Sequence, residues 1–199
     1  MKALRKDFIR AARAMVVLTV FLGILYPLVV TGVSQVAFPG NANGQQVFVN
    51  GKLVGSKIIG QNFRGDPRYF QGRPSATTPA NNAAATSFSN YGPNSIITEA
   101  AFTKNIAAYI RLNGRYYPGG LTAAKVPVDA ANTSASGVDP QISVRNADIQ
   151  AYRIAAVRQI PLATVHRLIS RYTSGRGLGF SGEPGVDVLE LNLALDGDH

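Results

Sequence analysis

A hydrolytic or metal centre in this chain would have to be assembled from two imidazoles, His166 and His199, and eleven carboxylates, because there is no cysteine to act as nucleophile or thiolate ligand. His199 is the last residue, and His166 follows Val165 in a stretch of helical pattern, where a hydrogen-bonded, partly exposed histidine is the expected state. Asp66, Glu99, Asp129, Asp139, Asp148, Glu183, Asp187 and Glu190 show no spacing that prepares a pair for general acid and base work. Gly177 to Gly182 match G-x-G-x-x-G. That loop cradles phosphates only between a strand and a helix N-terminus, and here a strand is expected to follow with no phosphate-binding lysine, so a glycine-rich turn is the better reading. The residue types therefore point to a non-catalytic protein with no metal site and no tightly bound cofactor.

The strongest positional signal lies upstream of all these residues. No charged side chain occurs from Ala14 to Phe38, and residues 15–33 read MVVLTVFLGILYPLVVTGV. At ~1.5 Å per residue that run crosses a ~30 Å hydrocarbon layer. Pro27 should kink the helix, and Gly23, Thr31 and Gly32 are small enough to admit a neighbouring helix, which makes these four positions candidate partner contacts. Five basic residues (Lys2, Arg5, Lys6, Arg10 and Arg13) precede the run, whereas only Lys52 and Lys57 occur in the twenty residues after Phe38. The positive-inside rule then leaves residues 1–13 in the cytoplasm, residues 14–36 in a bacterial inner membrane among its lipids, and residues 37–199 outside. A cleaved signal peptide is the competing reading, with Gly32-Val33-Ser34 as a small-x-small site, but the apolar run exceeds the usual ~7–15 residues. The five basic residues and Asp7 supply +4 of the net +9. The remainder is spread without an aromatic-interleaved stripe, so nucleic acid is not an expected partner.

The rest of the chain reads as one small α+β domain. Asn50-Gly51 between Gln46–Val49 and residues 52–54 signals a hairpin, and residues 55–63 should continue extended. Residues 64–95, dense in Gly, Pro, Asn, Ser and Thr, read as a long irregular stretch, and a second loop covers 118–143. Helices are predicted over 97–112 with Thr98 as a cap, over 144–159 with Ser143 as N-cap, and from Pro161 with an apolar face of Leu162, Val165, Leu168, Ile169 and Tyr172. Alternation after Val186 predicts a half-buried strand over 186–193. Strands at both ends with helices between is the expected architecture.

Several co-linear segments resemble the C subunit of the Kdp-type potassium-transporting ATPase family. They are Tyr26 to Gly32, Gly55 to Phe63 (GSKIIGQNF), Tyr69 to Ala76 (YFQGRPSA), Ser89 to Ser95, Val126 to Ala130, Ser136 to Ser143 and Gly182 to Asp196. The resemblance covers nearly the whole chain. It implies an accessory subunit of a high-affinity potassium uptake complex, with three partners: a channel-like potassium-binding subunit, an ATP-hydrolysing P-type subunit and a very small helical subunit. It also implies a catalytic-chaperone role that raises the ATP affinity of the hydrolysing subunit. Since ATP is cytoplasmic and only about thirteen residues should be, that effect is either transmitted through the helix or misassigned. Within the resembling segments Arg73, Ser75, Asn90 and Asp139 are further candidate partner contacts, although turns built on Pro74 and Pro140 explain the same segments structurally. Tyr91 and Gln141 stand where the family pattern has Leu and His, which argues against an essential imidazole at 141. A membrane-anchored enzyme or a nucleotide-binding module acting alone is the alternative class.

Overall fold

The uncharged run lies within one continuous helix of 35 residues, Ala3–Ala37, whose most apolar 18-residue window has mean hydropathy 2.4 and is not buried by the rest of the chain. The computed structural model describes residues 2–86, 90–92 and 94–197. Helix α1 (Lys2–Leu18) and helix α2 (Tyr26–Ala37) are joined by a π-helical stretch, Thr19–Leu25. Pro27 has no N–H to give, and its ring crowds the preceding turn. The departure from α geometry expected at Pro27 is taken up just ahead of it, where the Tyr26 N–H reaches back to the Phe21 carbonyl. At ~1.5 Å per residue the helix is roughly 50 Å long, well beyond a hydrocarbon layer. A short helix, α3 (Pro39–Ala42), follows.

The chain divides into two compact units, residues 1–46 and 47–199. The predicted hairpin forms from β1 (Gln46–Val49) and β2 (Lys52–Ser56), with Asn50 and Gly51 at φ +51° and +76°, the left-handed pair that a tight two-residue turn requires. The extension expected over residues 55–63 ends with β2 at Ser56. The Ser56 hydroxyl accepts from the Ile58 N–H at 3.3 Å and turns the chain.

Helix α4 (Ile96–Asn113) starts one residue earlier than predicted, with Ser95 and not Thr98 at its N-cap. The second loop carries a four-residue helix, α5 (Val128–Ala131), and a short strand, β3 (Gln141–Ser143). Helix α6 (Val144–Arg158) begins as predicted, its Ser143 cap accepting from the Asn146 N–H. Helix α7 (Leu162–Arg171) and strand β4 (Thr173–Ser174) lead through the glycine-rich turn to β5 (Gly185–Asp187), the centre of an antiparallel sheet of order β3-β5-β4. The core gathers Ala147, Ala151 and Ile154 of α6, Val165 and Ile169 of α7, Val186 of β5 and Phe70 of the irregular stretch. Helix α6 is buried on several sides and is the axis of the domain.

The predicted strand over 186–193 is overturned beyond Asp187, because the chain turns into helix α8 (Val188–Asp196). Asp187 and Glu190 form the D-x-x-E pattern of a helix start, and the Asp187 carboxylate accepts from the Glu190 N–H at 2.8 Å. Gly197 closes the other end at φ +82°. The fold class is α+β as expected, with a helix and not a strand as its last element.

The capping carboxylate of Asp187 is 6% exposed, and burial raises its pKa from 3.8 to about 6 despite the attraction of Lys57. A carboxyl whose pKa is higher folded than unfolded costs stability above the folded pKa, and that cost disappears as pH falls toward the unfolded value. Asp66, held down to about 2 by Arg68, acts oppositely and only below pH ~4. The protein is therefore expected to gain roughly 2 kcal/mol from Asp187 on acidification from pH 7 to about 4.5. Asp187→Asn, which keeps the cap acceptor, should flatten that rise in denaturant melts and be at least as stable at pH 7. A large loss at pH 7 would show that the charge itself is required.

Candidate functional site

Three of the residues singled out in the sequence come together. The Arg73 guanidinium donates to Asp139 at 2.6 Å and to the Thr133 carbonyl at 3.3 Å, while Ser136 donates to the second Asp139 oxygen at 2.8 Å. Two residues along, the Ser75 hydroxyl donates to the Gly137 carbonyl at 2.6 Å and accepts from the Asn81 N–H. Backbone bonds from Ser134 to the Pro74 carbonyl and from Gly60 to the Val138 carbonyl continue the seam. A β-carbon on Gly60 would lie 2.4 Å from the Asp139 carbonyl oxygen, so only glycine fits that crossing. The arrangement is a latch that fastens the first irregular stretch to the second. Both ion-pair partners keep about a quarter to a third of their side chains in contact with solvent.

The other candidates lie elsewhere. Asn90 is exposed in the irregular stretch, and the resembling segment around it includes Ser89 and Pro93, which lie outside the described residues, as does His199. Gly23, Pro27, Thr31 and Gly32 lie on the exposed surface of the first unit's helix. His166 is hydrogen-bonded to Asp148 at 3.1 Å, with both side chains 40% or more exposed, which agrees with the partnered histidine expected. The glycine-rich G-x-G-x-x-G run is a turn between β4 and β5, with Gly177 bridged to Ser181. Among the described residues no group of three or more acidic or imidazole side chains is placed to hold a metal.

Sequence reasoning missed the most heavily hydrogen-bonded part of the domain. Arg153 of α6 is completely buried, and its guanidinium donates to the Asn113 side chain at 2.9 Å, to Gln150 at 2.8 Å, to the Tyr69 carbonyl at 3.0 Å and to the Pro67 carbonyl. Burial pulls its pKa down to about 10, which leaves it charged at neutral pH. Beside it, the side-chain amides of Gln150 and Asn192 pair with the backbone of Gln71 and Phe70 at 2.8–3.0 Å, each giving and taking one hydrogen bond as a neighbouring strand would. Gln71 in turn donates to the carbonyls of Phe63, Asp66 and Tyr69. The signal available was the spacing of Asn146, Gln150 and Arg153 at i, i+4 and i+7, but in a single sequence such a stripe looks like a solvated helix face.

Where this spine meets α4 there is a cavity of 180 Å³, lined in part by Arg64, Gln71, Asn105, Tyr109, Asn146 and Gln150. It falls below the ~300–1,000 Å³ of ordinary ligand pockets. The Tyr109 hydroxyl is already committed to Asn146 at 2.8 Å, and Asn146 donates to Asp129 at 2.9 Å. The geometry suits a rigid scaffold better than a pocket for a nucleotide.

The sequence matches the family model described as K+-transporting ATPase, c chain (KdpC), over residues 8–197, across both units. The chain belongs to the KdpC family. Curated relatives named potassium-transporting ATPase KdpC subunit include one from Methylococcus capsulatus, 48% identical over 92% of this chain and 93% of its own length. Those from Mycobacterium tuberculosis and Koribacter versatilis are 45% and 42% identical over 97% and 98% of this chain, covering 99% and 96% of their own lengths. The resemblance drawn from the motifs thus holds at full length, and the latch and the spine both lie within the KdpC match.

The latch invites a direct measurement. Arg73→Ala and Asp139→Ala should each lower stability by roughly 1–2 kcal/mol, the range for a charged hydrogen bond at a half-buried site. Their double-mutant cycle should give a coupling of about 1 kcal/mol in equilibrium unfolding. Additive losses would mean that the two side chains act through other partners, and would assign the Arg73 effect to the Thr133 carbonyl.

Proposed function

We propose that this KdpC chain is a non-catalytic subunit that braces the potassium-transporting ATPase from outside the cytoplasm. In this reading residues 1–13 are cytoplasmic, residues 14–36 cross the inner membrane, and residues 37–199 stand outside. The partners are a channel-like potassium-binding subunit, an ATP-hydrolysing P-type subunit and a small helical subunit. The observation that carries the reading is the clamping of long irregular segments onto one helix by buried polar side chains. A brace needs a rigid surface, and loops held in this way do not have to be ordered at the moment of contact. Arg73, Ser75 and Asp139 contribute by shaping that surface, Asn90 stands exposed elsewhere on the first irregular stretch, and Gly23, Pro27, Thr31 and Gly32 offer the helix a close approach to partner helices. Any effect on ATP affinity passes through the membrane helix, because the nucleotide lies on the other side.

The topology is tested by a phosphatase fused after the C-terminus, which should be active only if that end is outside. A fluorescent reporter that folds only in the cytoplasm, bright at the same position, would reverse the orientation and return the domain to the side where ATP is.

Bracing also differs from ion capture in what potassium does to the subunit alone. The domain has a side-chain balance of about +5 and scattered carboxylates, a poor field for attracting a cation. The full-length chain in detergent is therefore expected to show the same melting temperature in potassium and sodium at equal ionic strength. A ligand that binds the folded state must raise that temperature by mass action, so a potassium-specific rise would replace bracing with ion capture.

A further inference from the structure

Beyond the short sheet the β4–β5 connection stands free of the domain. Residues 174–183 are all exposed, and its tip carries Leu178 at 91% exposure and Phe180 at 74%. The tip is not slack. Gly177 and Ser181 exchange two backbone hydrogen bonds of 2.8 Å, and Arg176 grips both carboxylate oxygens of Glu183 at 2.7 and 2.8 Å across the two arms. Leu178 has φ +54°, a left-handed conformation that asparagine or glycine would take at less cost. A leucine there is unfavourable twice, in its backbone and in its exposure to water. Such an outlier is a reason to look for something outside the chain that the side chain meets.

We propose that this hairpin is a membrane-docking finger: Leu178 and Phe180 enter the headgroup boundary of the bilayer that holds the chain's own anchor. The inference rests on the anchored reading above. Two side chains offer on the order of 300 Å², far short of the ~800 Å² per partner of a stable protein interface. For a tethered domain a small apolar tip is enough, since its contact with the bilayer is intramolecular in effect. The surroundings suit anionic lipid. From residue 162 to 184 there are three arginines, Arg167, Arg171 and Arg176, against Glu183 alone, and Arg171 is exposed with Tyr172 beside it at the root of the hairpin. Aromatic and basic side chains next to a small apolar tip are the composition of an interfacial anchor.

The chain has no tryptophan, so Phe180→Trp supplies a single indole reporter that preserves an aromatic tip. In the full-length chain reconstituted into vesicles with brominated acyl chains, that indole should lose most of its emission, and more with phosphatidylglycerol present than in phosphatidylcholine alone. Adding Leu178→Asn should reduce the quenching while leaving the melting temperature unchanged or higher, because asparagine accepts the positive φ. Phe21→Trp in the apolar helix is the control for the anchor. If Phe21→Trp is quenched while Phe180→Trp is untouched by brominated lipid and open to acrylamide, the finger is overturned. Shielding from acrylamide that appears only in the assembled ATPase, without quenching by lipid, would also overturn it, in favour of a protein pocket. If Phe21→Trp is not quenched, the anchored reading fails and the finger with it.

Discussion

A guanidinium hydrogen-bonded to amide and carbonyl oxygens, and to no carboxylate among the described residues, sits at the centre of this domain, and most of what surrounds it is arranged to keep it hydrogen-bonded. Taking an arginine out of water costs several kcal/mol unless its N–H groups find acceptors. Arg153 finds them in two side-chain amides and two backbone carbonyls, at Asn113, Gln150, Pro67 and Tyr69. These acceptors come from α4, from α6 itself and from the irregular stretch. One buried side chain therefore fixes the spacing of three segments that have little regular structure in common.

The same constraint explains how a stretch so rich in glycine and proline can take part in a core. Backbone groups brought inside must be satisfied, and among the described residues no strand lies alongside residues 63–77 to do it. The amides of Asn192 and Gln150 do so instead, meeting Phe70 and Gln71 as two rungs of a ladder, so that the Phe70 ring can be wholly buried against α6. Farther along the same stretch, the Arg73 latch fastens it to the second loop. Spine and latch are successive fastenings of one piece of chain, the first buried and the second half exposed.

What could be read from sequence alone follows from how local each cause is. The Asn50-Gly51 hairpin and the Ser143 cap depend on a few adjacent residues, and both are present where expected. The C-terminal strand was misread because Val186 to Leu193 satisfies a two-residue alternation and a helical spacing alike, and the deciding feature was the Asp187–Glu190 cap. Arg153 was missed for a different reason. A charged residue on a helix is ordinarily exposed, and apart from Gln150 its partners here lie 40 to 86 positions away. Arg73 was noticed for its motif, yet its tie to Asp139, 66 residues on, follows only from the fold.

An apolar residue of similar volume at position 153 would avoid burying a charge, and buried ionic groups can often be replaced in this way at a gain. Here the exchange is not available, because the guanidinium is also the donor on which the Pro67 carbonyl and the Asn113 side-chain oxygen depend. Methionine or leucine would fill the space and leave those acceptors orphaned, at about 1–3 kcal/mol each. A lysine would restore the charge but not the planar fork that reaches both sides of the helix. The arginine is thus required for the direction of its bonds more than for its charge. That requirement is what lets a domain with three short strands in its main sheet hold its long loops in one shape.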